Sequence, residues 1–398
     1  MLPMFLWALI VAVTPTDWAR ERLARRLTQE IGQPVSLGGV RIGPLGGVTI
    51  EDLKVGANSG AEGPWLRAAS TSINLNLPQL LMGQCLPSEV RVDGLTLNYH
   101  RQSDGECPIA SALFAKRNRF GGHASVRSTS PRGTVRLEIQ GGTIRFVDDP
   151  SATNVELTSI DGVVLWEAQR LVVQDFTGHL NGGTVSLVAQ FDRSSHVTGV
   201  EGQIRARDVQ VNGGWNGLGI IVPILASSGD ALEGAMDLSV YARGLGGDAE
   251  ELNTSLVGTG FIKLDPVRLD GSKLLNELVP PQGIDHRVGA IHSDFKIAGR
   301  RVLSENLTIE FGSIPIMLAG STTFEGLVDY RIKPEGLTNQ VRGHLGDLAD
   351  LVEDLVDLRI TGTLGDLNLT SAGKRISRQD GRERLKKLSK VLKERLLR

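Results

Sequence analysis

From Val35 onward, apolar and polar residues alternate over runs of five to eight, with Gly or Asp-Gly between the runs. Period-two patterning puts successive side chains on opposite faces of an extended chain, so it predicts strands over most of the sequence. Clear runs are VTIEDLKVG from Val48, VRVDGLTLNY from Val90, VEGQIRARDVQV from Val200, GFIKLDPVRL from Gly260 and LRITGTLGDLNL from Leu358. Between 35 and 340 the only helical candidates are short: Pro78–Leu81, Pro108–Lys116, Val222–Ala226 and Lys273–Val279. None of these covers a wide sheet. The apolar faces must therefore close on each other, as in a sandwich, or form an open groove that shelters something apolar such as acyl chains.

The two ends of the chain break this pattern. Leu2–Val13 is an uncharged apolar run of 12 residues, shorter than the roughly 20 that cross a bilayer. Three readings compete for it: a membrane anchor, a cleaved signal peptide and a core helix. The signal peptide lacks a basic start and an Ala-x-Ala site, and a core helix seldom opens a chain so uniformly apolar. The anchor is preferred, with Phe5, Leu6, Trp7, Leu9 and Ile10 in the apolar phase and Trp18 at its interface edge. Trp18–Ile31 follows with Leu23, Leu27 and Ile31 at helical spacing, which predicts an amphipathic juxtamembrane helix. Its arginines, Arg20, Arg22, Arg25 and Arg26, would ordinarily assign that side to the cytoplasm.

Near the other end, Leu345–Leu358 predicts an acidic amphipathic helix that caps the sheet, or less readily binds a partner. The chain carries a formal net charge of −2, but Gly373–Arg398 holds 11 Lys/Arg against 3 Asp/Glu, so this tail is +8 and the rest −10. In the tail, Leu385, Leu388, Leu392 and Leu396 form one stripe, with Lys386, Lys387, Lys390 and Lys393 away from it. Such a helix either lies on an anionic bilayer or docks its stripe on the protein.

Composition narrows the chemistry. Glycine is 48 of 398 residues without a collagen period, which fits many turns between short strands. The net charge gives no footprint for a nucleic-acid partner. Cys85 and Cys107 are the only cysteines and form no CxxC pair; they either close one loop in an oxidising compartment or remain two thiols. No two of the seven histidines stand at i, i+4. His286 and His292, beside Asp285 and Asp294, read as loop and strand residues rather than a metal site. Gly217-Leu218-Gly219 and Gly258-Thr259-Gly260 lack the remainder of a phosphate loop and read as turns. Neither a catalytic site, a cofactor nor a metal is expected.

Several segments carry a family resemblance in their order along the chain. The apolar N-terminus and short helix lead into IGQPVSLGGVRIGPLGGVTIEDLKVG (Ile31–Gly56), which looks like the opening of AsmA-like proteins. Leu81–Leu113 is similar to that family's second motif, a strand pair ending in an Asp-Gly turn before a short helix. Gly258–Val279 and Ile291–Ile332 resemble its C-terminal region, and Leu358–Leu369 its closing hairpin. The resemblance implies an inner-membrane protein, single-pass at its N-terminus, with a β-rich body in the periplasm. It also implies kinship with TamB and a role in phospholipid transport and outer-membrane assembly through an apolar β-groove.

The expected fold is mainly β: an elongated, curved antiparallel sheet or groove of repeated strands, with an N-terminal membrane helix and a C-terminal amphipathic helix. The regions would be 1–16 anchor, 17–33 juxtamembrane helix, 34–130 N-terminal β region, 131–250 central β region, 251–372 C-terminal β region and 373–398 basic tail. Ile262, Leu264, Leu307, Ile309 and Phe311 would line the groove. Expected partners are the membrane, phospholipid and other envelope proteins. The rival is a scaffold with fully paired sheets that organises envelope proteins without carrying lipid.

Overall fold

The computed structural model describes residues 17–43, 47–56, 63–75, 87–101, 134–148, 153–167, 169–193, 197–212, 216–227, 232–269, 288–311, 314–333, 358–371 and 374–375. Strands dominate them, as the alternation predicts. They form two compact units, Met1–Leu180 with Thr184–Val200, and Asn181–Gly183 with Glu201–Arg398. The boundary falls inside the expected central region.

The first unit opens with helix α1 (Asp17–Ile31), which Gly32 ends at φ +77° while its N–H donates to Thr28 O at 2.8 Å. Leu23, Ala24 and Leu27 pack against Val35, Leu37, Ile50 and Val55 of the sheet, and Arg22, Arg25 and Arg26 face water. Leu23 and Leu27 thus take the apolar side that their spacing predicts, whereas Ile31, the third residue of that spacing, is exposed. No helix among the described residues is long and apolar enough to cross a membrane. The expected anchor at 1–16, most of the acidic segment and nearly all of the basic tail lie outside the described residues.

Nine strands follow: β1 (Val35–Ser36), β2 (Gly39–Ile42), β3 (Gly47–Val55), β4 (Leu66–Leu75), β5 (Pro87–Arg101), β6 (Val135–Asp148), β7 (Thr153–Trp166), β8 (Arg170–Leu180) and β9 (Gly183–Asp192). β1 and β2 both pair with β3, and β3 to β5 continue antiparallel. The antiparallel expectation then needs one correction: β5 and β6 run parallel, after which β6, β7 and β8 resume the antiparallel order. A parallel pair requires a long crossover, and its connection, 102–133, lies outside the described residues.

A second correction concerns Asp-Gly. VRVDGLTLNY is not a hairpin; it belongs to the single 15-residue strand β5. Gly94 sits at φ +61° in mid-strand, where it interrupts the ladder opposite Ala69 instead of reversing the chain. Asp52, Gly141, Ser159 and Asp175 do the same in β3, β6, β7 and β8. One left-handed residue shifts the alternation by one position. Val90 and Val92 therefore share a face with Leu95 and Leu97 on the far side of the break, and apart from Thr71 opposite Val92 their paired neighbours on β4 and β6 are apolar.

The second unit holds most of β10 (Thr198–Asn212), then two 3-10 helices (Asn216–Ile220 and Pro223–Ser227), β11 (Leu232–Gly246), α2 (Ala249–Ser255), β12 (Val257–Leu269), β13 (Val288–Ala298), β14 (Arg301–Phe311), β15 (Ile314–Thr323), β16 (Leu327–Lys333), β17 (Leu358–Thr363), β18 (Asp366–Ser371) and β19 (Lys374–Arg375). β11 to β19 pair in sequence order, each antiparallel to the next. The predicted closing hairpin is β17–β18. The expected short helix near Val222–Ala226 is the second 3-10 turn, whose Ile224 and Leu225 are buried along with Val222 just before it.

Helix α2 is absent from the sequence-based expectations. Asp248 caps it, accepting from Glu251 N at 2.8 Å, while Glu251 Oε2 accepts from Gly247 N at 2.7 Å. The Asp-x-x-Glu spacing of this capping box is its sequence signal.

Candidate functional site

The side chains expected to line the groove fall in the second unit, and the structure brings them together. Met236, Leu264, Ile291, Ile309 and Ile316 stand opposite one another across β11 to β15. Ile262 lies two residues from Leu264 on the same face of β12, and Leu307 pairs with Leu318. Ile262, Leu264 and Leu307 are 0% exposed and Ile309 is 1% exposed, so these four form a water-excluding interior. Phe311 is placed on β14 opposite Ile314, and its side chain lies outside the described set.

Two close approaches tighten that interior. A Cβ on Gly260 would stand 2.2 Å from the Phe295 ring, and one on Gly320 would stand 2.8 Å from Tyr330 Cγ. Each aromatic ring thus lies across the bare backbone of the strand beside it.

Hydroxyls are embedded in this apolar surround. Ser293 Oγ and Ser304 Oγ are 2.6 Å apart, and Ser304 Oγ also donates to Asp294 O. Asp294 N donates to Asn306 Oδ1 and Asn306 Nδ2 to Asp294 Oδ2, locking the irregularity between β13 and β14. Tyr330 and Thr322 are different: both are buried, and neither hydroxyl has a hydrogen-bond partner among the described residues. Burial pushes the Tyr330 phenol up to about 12; the Thr322 hydroxyl opposes this from nearby but outside hydrogen-bond geometry.

A buried, unpaired hydroxyl costs about 1–3 kcal/mol, and an apolar replacement of the same shape removes that cost. Tyr330→Phe is therefore expected to hold or raise the melting temperature. Thermal unfolding checks this; a fall of several degrees would mean that the hydroxyl is paired after all.

The first unit presents a different kind of apolar face. One ladder runs Val48, Ile73, Val90, Leu137, Val164 and Val173 across six strands. A second runs Val35, Val55, Leu66, Leu97, Ile144, Leu157 and Leu180 across seven. The ladders lie on either side of the line of left-handed residues. α1 packs over their beginning, among Val35, Val48, Val55, Leu66 and Ile73. Farther along, Leu97, Leu137, Ile144, Leu157, Val164 and Val173 are only half-buried. Alternation alone does not distinguish these rows from the closed rows of the second unit, because exposure depends on what packs above them.

The electrostatics are those of strand surfaces. Asp52 is held below its usual range first by its hydrogen bond from Lys54 and then by Arg67. Arg145 pairs with Glu156 and Arg91 with Glu138 across neighbouring strands. No group of three or more metal-ligating side chains occurs among the described residues. His292 lies on β13 opposite Lys263 and Thr308, while His286 is outside the described set. Also outside it are Cys85, Cys107, Phe5, Leu6, Trp7, Leu9, Ile10, Lys386, Lys387, Lys390 and Lys393; Trp18 is on α1 with its side chain undescribed.

No family model matches this chain, and neither does any curated protein or solved structure.

Proposed function

We propose that the chain is an AsmA-like, membrane-anchored envelope protein that carries phospholipid by its acyl chains and performs no catalysis. The observation behind this reading is the run of half-buried apolar side chains beyond the reach of α1 in the first unit, Val90, Leu137, Val164 and Val173 from β5 to β8 and Leu97, Ile144 and Leu157 of the second ladder before its buried end at Leu180. From β5 to β8 they cross four strands, or about 14 Å at the usual strand spacing. One acyl chain reaches about 15 Å, half the thickness of a bilayer core. Aliphatic walls hold such a chain through dispersion and exclusion of water, without directional partners. The preceding anchor keeps the sheet at the inner membrane, with the body in the periplasm. The buried interior of the second unit leaves Ile262, Leu264, Leu307 and Ile309 no access to cargo, so this reading takes the cargo surface to be in the first unit.

Gentle extraction of the full chain followed by mass spectrometry tests the reading. Phospholipid is expected to co-isolate in a defined ratio to protein. Lipid-free protein that retains its fold would instead favour a scaffold that organises other envelope proteins.

A further inference from the structure

We infer that the end of the first unit's sheet formed by the start of β6, the end of β7 and the start of β8 is a lip that contacts an anionic phospholipid bilayer. This rests on the lipid-carrying reading, because the lip borders the proposed cargo face. Val135, Trp166 and Leu171 are paired across β6, β7 and β8, two residues outside the ladder of Leu137, Val164 and Val173 and on the same face. Arg193 N donates to Gln169 O at 2.7 Å, which sets the end of β9 beside the start of β8 and puts Phe191 next to Leu171. Trp166 is 55% exposed and Phe191 38% exposed, so two large aromatic side chains stand open at one edge.

Charge at that edge selects the occupant. Arg136, Arg170 and Arg193 are exposed, whereas the edge carboxylates Glu167 and Asp192 are half-buried. Arg170 donates to the neutral Gln190 Oε1 at 2.5 Å. An edge that carries exposed indole and phenyl rings together with exposed arginines matches the headgroup level of a membrane, where rings enter the interface and cations meet phosphate. Lipid arriving there has only one residue pair to cross before it reaches the Leu137 ladder.

The test places an environment-sensitive fluorophore on Trp166→Cys in the full chain, with Cys85→Ser and Cys107→Ser. The same label on Val188→Cys, also exposed but on the alternate face of β9, is the control. In vesicles of equal parts phosphatidylglycerol and phosphatidylcholine, the label at 166 is expected to shift to the blue. It should also lose most of its quenching by aqueous iodide, while the label at 188 keeps its own. Arg170→Glu with Arg193→Glu should reverse the response at 166 several-fold on these vesicles. Equal iodide access at the two positions would overturn the proposal. So would a shift at 166 that follows protein concentration without vesicles, which would identify a second copy as the occupant. The two readings also separate: a response at 166 in a protein that co-isolates no lipid defeats the cargo reading alone, and lipid-loaded protein with an open 166 defeats the lip alone.

Discussion

Ile262→Asp and Leu264→Asp are each expected to abolish the cooperative unfolding of the second unit and open it to proteolysis at the lowest protease concentrations. Both side chains are fully buried, Leu264 opposite Ile291 and Ile262 opposite Ser293, and no basic residue among their paired neighbours in the described set shares that face. An unpaired charge in such a place costs several kcal/mol, against a total domain stability of about 5–15 kcal/mol. Ile262→Val, which removes one methyl group, should cost only about 1 kcal/mol and is the natural comparison. Circular dichroism and mass mapping of protease cuts read the result. Aspartate variants that melt like the parent would show that this interior meets water or cargo, and would return the groove to the second unit.

The first step of the fold was legible because alternation and burial run in phase along much of the second unit, although Leu245, Val257, Phe261, Leu303 and Leu327 are exposed. β16 alternates exposed and buried from Leu327 to Ile332, and its sequence LVDYRI says so directly. What misled was Asp-Gly. In a short strand that pair signals a turn, but in β5 the apolar positions run Val90, Val92, Leu95 and Leu97. The phase slips once and then continues. A hairpin would have left its two strands paired with each other; the slip instead leaves one strand whose two halves face the same way. The same slip occurs in β3, where Ile50 and Val55 are buried on either side of Asp52. Phase slips at Asp or Gly were the available signal for long kinked strands.

Candidate cargo residues were less legible for a physical reason. Ile262 and Val164 sit in equally good alternating runs, and local sequence carries no information about what covers each face. That information is tertiary: α1 over the first strands of one unit, and a fully packed interior in the other. Parallel pairing of β5 with β6 was hidden as well, since register and direction follow from a connection rather than from either strand. The missed α2 is of another kind, because its capping box was visible in Asp248 and Glu251.

Val164→Asp and Leu137→Asp are expected to leave the protein folded and to strip its phospholipid. Both side chains belong to the half-buried ladder of the first unit and stand opposite each other on β6 and β7. In the lipid-free state each new carboxylate can reach water from a partly exposed position, so the fold absorbs the change. With an acyl chain laid across the ladder that escape is closed, and the charge must be desolvated at a cost of several kcal/mol. Since 1.4 kcal/mol is a tenfold change in affinity, retention of lipid should fall by about a hundredfold or more. Asn154→Asp, at an exposed position of β7, adds the same charge away from the ladder and should retain lipid as the parent does. The ratio of phospholipid to protein after gentle extraction gives the answer, with thermal melting as the check on folding. Val164→Asp that stays folded and still carries a full complement of lipid would remove this face from the transport path.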